Sequence, residues 1–190
     1  MNTFDEEIKL AADALKKGKV ILYPTDTIWG IGCDATSSAA VSRLIKIKRR
    51  TDNKSLIALI DETDRITDYV KVVPPIAYDL IQNAANPISI VFPGAKNIAK
   101  NALGPDSTVC IRVTDSQFCK QLVRAFGKPI ASTSANVSGE PTPLFFAKIS
   151  EEIKKNVDHI VGLYQDEIKM PKATTIIKLD VNGQFTILRH

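Results

Sequence analysis

The chain has 190 residues, of which 44% are hydrophobic and 24% are charged, and its net charge is +4. This length and composition are typical of a globular protein, and they predict a single domain over 1–190. No apolar run approaches the roughly 20 residues that cross a bilayer, so we expect no membrane partner. The small basic excess suits a nucleotide or an RNA without requiring either.

The cysteines and histidines limit the chemistry. Cys33, Cys110 and Cys119 are odd in number and form no Cys-x-x-Cys pair, which argues against a disulfide framework or a zinc site. The first residues are acidic and unlike a signal peptide, so we expect a cytoplasmic protein. His159 and His190 are the two histidines, too few for a histidine-centred triad or metal site. Any chemistry must therefore use placed charges, hydroxyls, amides or carboxylates.

The apolar spacing predicts helices and strands that alternate along the chain. Helices are predicted at 3–17, 37–49, 75–82 and 116–126. Strands are predicted at 20–23, 56–60, 88–92, 109–113, 130–132, 174–179 and 185–188. An Asn-Gly pair between the last two strands predicts a hairpin. The pattern indicates an α/β fold with a mixed sheet.

The first polar segment follows the first strand and runs from Tyr23 to Ala35. After Pro24 we predict a loop with two threonines, an aspartate and two glycines. Ligands of open α/β sheets bind near such strand ends, although an ordinary strand-to-helix turn would have the same composition. The segment contains neither Gly-x-Gly-x-x-Gly nor a Walker-type Gly-Lys-Ser/Thr, so the usual phosphate loops are absent from it.

The second segment, from Lys46 to Lys54, is a basic helix end followed by a polar loop. Cations at a helix C-terminus are favoured by the helix dipole, so capping alone could explain them. Alternatively, several cations converge here on a polyanion such as a nucleotide triphosphate.

The third segment is the strand that ends near Arg112. Alternation along a strand would place Thr108, Cys110 and Arg112 on one face. A buried arginine needs a partner, which is either an internal carboxylate or an anionic ligand.

The fourth segment runs from Ala131 to Pro143 and is rich in hydroxyls. Its composition is that of a loop, but Ser132, Ser134 and Asn136 alternate and would share one side of an extended chain. Such neutral groups can donate hydrogen bonds to phosphate or ribose without adding charge.

Five sequence pieces in this order resemble the YrdC/TsaC family of threonylcarbamoyl-AMP synthases. They are Pro24-Thr-Asp-Thr-Ile-Trp-Gly30, Lys48-Arg-Arg50, Thr108-Val-Cys-Ile-Arg112, Ser134-Ala-Asn136, and Thr174-Thr-Ile with Leu188-Arg189. The resemblance implies a twisted mixed sheet flanked by helices around a basic concave cavity. It also implies that L-threonine, bicarbonate or CO2, and ATP with Mg2+ give threonylcarbamoyl-AMP and pyrophosphate. The product would pass to a tRNA threonylcarbamoyl-transferase complex.

The resemblance also assigns roles to residues. The implied catalytic group, which binds ATP, is Lys48, Arg50, Ser134 and Asn136. Further implied ATP contacts are Lys54, Thr108 and Thr142. Implied threonine contacts are Thr27, Arg112 and Ser132. No residue is implied as a metal ligand.

The chain departs from the family pattern at four positions. Thr51 and Ser55 stand where prolines are usual, Trp29 replaces a tyrosine, and Leu59 falls where longer relatives have a histidine. The chain is similar to the short form, without the C-terminal domain of those relatives.

Two alternatives to the synthase remain. One is a non-catalytic RNA-binding module, with contact to tRNA or double-stranded RNA. It would favour a larger basic excess and more aromatics than the 6% found. The other is a YciO-like paralogue, a branch that has lost the Ser-x-Asn piece that is present here.

Overall fold

The computed structural model of the chain describes residues 2–52, 54–167 and 174–189, in which helices and strands alternate as predicted. The helices are α1 (Phe4–Lys16), α2 (Ser38–Ile47), α3 (Ile66–Tyr69), α4 (Ile76–Gln82), α5 (Gln117–Phe126) and α6 (Glu151–Asn156). The strands are β1 (Ile21–Pro24), β2 (Trp29–Asp34), β3 (Ile57–Ile60), β4 (Ile88–Phe92), β5 (Val109–Val113), β6 (Ile130–Ser134), β7 (His159–Ile160), β8 (Thr175–Leu179) and β9 (Phe185–Arg189). None of these helices is long and apolar enough to cross a membrane.

The strands form one sheet in the order β7-β1-β2-β6-β3-β5-β4-β8-β9. Three neighbouring pairs are parallel, namely β1–β7, β3–β5 and β4–β8. The other pairs are antiparallel, including the terminal β8–β9 hairpin. The prediction of a mixed sheet is therefore confirmed.

The helix ends follow local sequence signals. Thr3 caps α1 through a reciprocal capping box with Glu6, in which the Thr3 hydroxyl accepts from the Glu6 amide. Ser37 and Ser116 cap α2 and α5 in the same way from their side-chain oxygens. Helix α5 ends at Gly127, whose φ of 86° is left-handed and favours glycine.

Strand β2 corrects the sequence prediction, which had a loop in this segment. Residues 29–34 form a strand that is buried at every position and lies between β1 and β6. A Cβ at Gly32 would lie 2.6 Å from Ile130 Cγ2 and 2.9 Å from Tyr23 Cε1, so the close packing here requires glycine. Glycine is unfavourable in strands on average, and the tertiary contact that overrides this preference is not visible in the sequence.

One face of the sheet carries apolar side chains in one part and polar side chains in another. Helices α1 and α5 join a core cluster with Ile21, Leu59 and Ile130. The strand register places Ser132 and Arg112 on this same face, because Ile130 and Arg112 both pair with Leu59. We call this the site face, since polar side chains replace the apolar ones along it.

Candidate active site

A buried lysine lies where the end of α2 meets the end of β6. Lys48, the C-cap residue of α2, is 6% exposed. Its Nζ lies 3.0 and 3.2 Å from the O and Oγ of Ser134, and 2.9 and 3.1 Å from the O and Oδ1 of Asn136. The Ser138 amide donates to the Lys48 carbonyl at 2.9 Å and fixes the helix end to this loop. We call Lys48, Ser134 and Asn136 the lysine network.

The lysine network holds a positive charge without a carboxylate in contact. In the described part of the chain, Lys48 forms no ion pair, and its four near acceptors are uncharged oxygens. Burial, and to a smaller extent the charge of Arg50, lower the pKa of Lys48 to about 8, while Asp52 opposes the fall. The ammonium is thus charged at neutral pH and free to attract an anion.

The orientation of Asn136 is set by its own hydrogen bonds. Its Nδ2 donates to the carbonyls of Val137 at 3.0 Å and Glu140 at 2.7 Å. Its Oδ1 must therefore face Ser134, whose hydroxyl donates to it at 2.5 Å. The amide and the hydroxyl are positioned together, and the structure confirms that Ser134 and Asn136 share one side of the chain.

Arg50 lies next to the lysine network in a loop of its own. Its Nε donates to Asp52 Oδ1 at 2.6 Å, and its Nη2 donates to the Lys54 carbonyl at 2.8 Å. Lys54 is exposed and takes part through its backbone. Arg50 thus lies close enough to act on the pKa of Lys48 without a hydrogen bond to the network among the described residues, and only the backbone of Lys54 is placed beside Arg50.

Tyr23 of β1 and Ser132 of β6 form a second polar group, which spans the intervening strand β2. The Tyr23 hydroxyl donates to Ser132 Oγ at 2.6 Å, and it passes over Gly32, which has no Cβ to block it. Burial raises the pKa of Tyr23, so the phenol stays neutral and acts as a donor. Thr27 is buried, and its hydroxyl lies 3.2 Å from that of Thr25.

Arg112 is buried on the site face with a neutral partner. Its Nε donates to Ser89 Oγ at 2.8 Å, and it forms no ion pair within the described residues. Burial lowers the pKa of Arg112, while the nearby charge of Asp26 opposes that fall. Of the two partners predicted for this arginine, an internal carboxylate in direct contact is not found. The anionic ligand stays a prediction.

The remaining predicted site residues differ in placement. Thr108 is buried and donates to the Pro105 carbonyl at 2.9 Å. Thr142 is exposed, and no contact among the described residues connects it to the lysine network. The basic concave cavity implied by the resemblance stays a prediction.

Sequence reasoning missed several residues that the structure brings to the site. Tyr23 was predicted to end a strand and begin the first polar segment but was given no role, and Ser89 was seen only as part of the strand predicted at 88–92. The charge of Arg189 lies close enough to lower the pKa of Arg112, although its hydrogen bonds go to Thr174. Strand alternation could have signalled Ser89, but not its distance from Arg112.

No three histidine, cysteine, aspartate or glutamate side chains gather as a metal centre among residues 2–52, 54–167 and 174–189.

The fold and the site define an α/β protein with a buried lysine and a buried arginine that are held by neutral oxygens. The Sua5_yciO_yrdC family model, described as telomere recombination, matches residues 13–190, and the chain belongs to this family. A threonylcarbamoyl-AMP synthase of Pseudoalteromonas translucida is 39% identical over 163 residues, which are 84% of this chain and 85% of that protein. A Vibrio cholerae protein of the same name is 38% identical over 139 residues, 72% of this chain and 74% of its own length.

Solved structures share the fold. Escherichia coli YciO has a TM-score of 0.85 at 25% identity, covering 100% of this chain and 91% of that one. P. abyssi Sua5 in complex with L-threonine has a TM-score of 0.83 at 26% identity, covering 96% of this chain and 53% of that one. The chain thus spans about half the length of that Sua5. The twisted mixed sheet flanked by helices is confirmed as the fold.

Proposed function

We propose that this protein synthesises L-threonylcarbamoyl-AMP from L-threonine, bicarbonate or CO2, and ATP, with release of pyrophosphate. The observation that carries the proposal is the buried Lys48 ammonium, which neutral oxygens of Ser134 and Asn136 orient but do not neutralise. The relatives of similar length that are named threonylcarbamoyl-AMP synthase support the same reaction.

The lysine network is the proposed nucleotide end of the site. Lys48, Arg50 and Lys54 supply positive charge for the phosphates, while Ser134 and Asn136 add neutral groups. Thr108 and Thr142 complete the proposed ATP contacts. ATP would arrive with Mg2+ on its phosphates, as part of the substrate.

The group around Arg112 is the proposed threonine end. Its buried guanidinium, which lacks a carboxylate in contact, suits the α-carboxylate of the amino acid. Thr27 and Ser132 are the proposed hydroxyl partners at this end. The strand register joins the two ends, because Ser132 and Ser134 lie two residues apart on β6.

The reaction needs placement and charge more than a protein nucleophile. A carbamate oxygen of carboxylated threonine attacks the α-phosphorus of ATP, and a new P–O bond forms. The bond from that phosphorus to the bridging oxygen breaks, and pyrophosphate leaves with its electron pair. Both reactants are anions, so fixed cations must screen their repulsion and stabilise the leaving charge. Lys48 and Arg50 take this role in the proposal.

The product would serve the threonylcarbamoyl modification of tRNA, through a transferase complex in the cytoplasm. The buried thiols of Cys33, Cys110 and Cys119 suit a reducing compartment. Presence of Ser134-Ala-Asn136 favours the synthase over a YciO-like paralogue, despite the shared fold.

Release of pyrophosphate tests the proposed function. The purified protein is incubated with ATP and Mg2+, and threonine and bicarbonate are left out in turn. We expect release that requires both, and threonylcarbamoyl-AMP as the product by mass spectrometry. A Lys48→Met variant serves as the matched background control. Release that continues without threonine or without bicarbonate would show that the protein is a different enzyme.

A further inference from the structure

Asp26 carries a buried carboxylate that no residue in the described part of the chain satisfies. Both carboxylate oxygens are closed off from solvent, and neither has a hydrogen-bond partner among the described residues. A buried charged group without partners is costly, and proteins rarely keep one without a reason. This carboxylate is therefore a candidate for a ligand that donates hydrogen bonds.

The turn that holds Asp26 is fixed by its neighbour. The Thr25 hydroxyl accepts from the amides of Thr27 at 3.1 Å and Ile28 at 3.2 Å, and it donates to the Ile28 carbonyl at 2.6 Å. The backbone thus positions the Asp26 side chain before any ligand binds. This is the arrangement expected of a binding group and not of a loosely held surface charge.

The Asp26 carboxylate lies near enough to an opposite charge to act on its pKa, without a contact between them among the described residues. Its carboxylate acts on the buried guanidinium of Arg112, yet the two form no ion pair in the part of the chain described. An anion on Arg112 alone would leave the carboxylate unpaired and would repel it. A zwitterion would satisfy both groups, with its carboxylate on Arg112 and its ammonium on Asp26.

We propose that Asp26 recognises the ammonium group of the amino-acid substrate, opposite Arg112 on its carboxylate. This inference rests on the proposed function, since it names how the amino acid is held in that same site. The contact outlasts carboxylation of the nitrogen, because a carbamate keeps one N–H that can donate to Asp26. The residue accordingly selects α-amino acids over otherwise identical acids that lack the amino group.

A pair of ligands tests this assignment on the intact protein. L-threonine and (R)-3-hydroxybutyrate differ by the amino group and keep the same hydroxyl configuration. We expect calorimetry to show that the wild-type protein binds threonine at least about tenfold more tightly, as one charge-assisted contact implies. Equal affinities for the two ligands would overturn the proposal without any variant.

The Asp26→Asn variant then tests whether Asp26 causes the preference for threonine over 3-hydroxybutyrate. The variant should bind threonine about ten- to a hundredfold more weakly and bind 3-hydroxybutyrate as the wild type does. Asp115→Asn, at an exposed aspartate, should leave both affinities unchanged. An equal loss for both ligands in Asp26→Asn would mean that Asp26 only shapes the turn, and no loss for threonine would remove it from the site. If the wild-type protein fails to bind threonine at all, the proposed function fails instead.

Discussion

The buried ammonium of Lys48 should make ATP use fall as the pH rises through about 8. Burial disfavours the charged form and lowers the pKa of Lys48 from 10.5 to about 8. Below that pH the ammonium is charged and attracts phosphate; above it the amine is neutral. At pH 9 about a tenth of the molecules would keep the charge, so kcat/KM for ATP should fall about tenfold per pH unit.

The fall of kcat/KM with rising pH, which we call the falling limb, is measured by pyrophosphate release over pH 6.5–9.5 at saturating threonine and bicarbonate. The value of kcat/KM for ATP reports the free enzyme, in which the pKa of Lys48 is low. In the complex, the phosphates favour the charged lysine, so kcat should fall only at higher pH. The separation between the two limbs therefore reports the contact between Lys48 and the nucleotide.

Lys48→Arg is the decisive variant. A guanidinium stays charged throughout this range, so the variant should lose the falling limb even if its geometry makes it slower. Lys16→Arg, at an exposed lysine of α1, should keep the wild-type profile. Substrate ionisation affects all three proteins alike. The reasoning is refuted if Lys48→Arg keeps the same limb, or if the wild type shows none.

Arg50→Ala tests the nucleotide end of the site, and Gly32→Ala, with Gly30→Ala as its control, tests the packing beneath the threonine end. Arg50→Ala should lower ATP turnover by about ten- to a hundredfold, and unchanged kinetics in a folded variant would remove Arg50 from the site. Gly32→Ala should lower the free energy of unfolding in urea by about 1–3 kcal/mol, because its Cβ would lie 2.6 Å from Ile130. At Gly30 the nearest contact would be 3.3 Å, so Gly30→Ala should cost less; equal losses would contradict the packing argument.

The sequence predicted best those features that depend on near neighbours. The starts of α1, α2 and α5 follow from Thr3, Ser37 and Ser116, whose side chains cap amides three residues away. Strand β2 could not be predicted in this way. Its stability comes from the strands on both sides, while Gly30 and Gly32 weaken the local signal.

In the candidate site too, the sequence predicted the features that depend on near neighbours and not those that depend on the fold. Alternation correctly indicated that the side chains of Ser134 and Asn136 lie together, but composition allowed Lys48 to be an ordinary helix cap. Only the fold brings Lys48 within 3.1 Å of Asn136, which lies 88 residues further along the chain. Arg112 was recognised as needing a partner, yet its serine partner on β4 follows from strand order, which no local pattern contains.

The partners of the buried cations explain how such a site can work without histidine. Lys48 meets four neutral oxygens, and Arg112 meets the hydroxyl of Ser89. A carboxylate in these places would stabilise the free protein but would compete with an anionic substrate for the same charge. Neutral acceptors fix the geometry and leave the positive charge available, while burial lowers the pKa of Lys48. In the proposed function, the uncompensated charge of the ammonium is therefore the property that prepares Lys48 for phosphate.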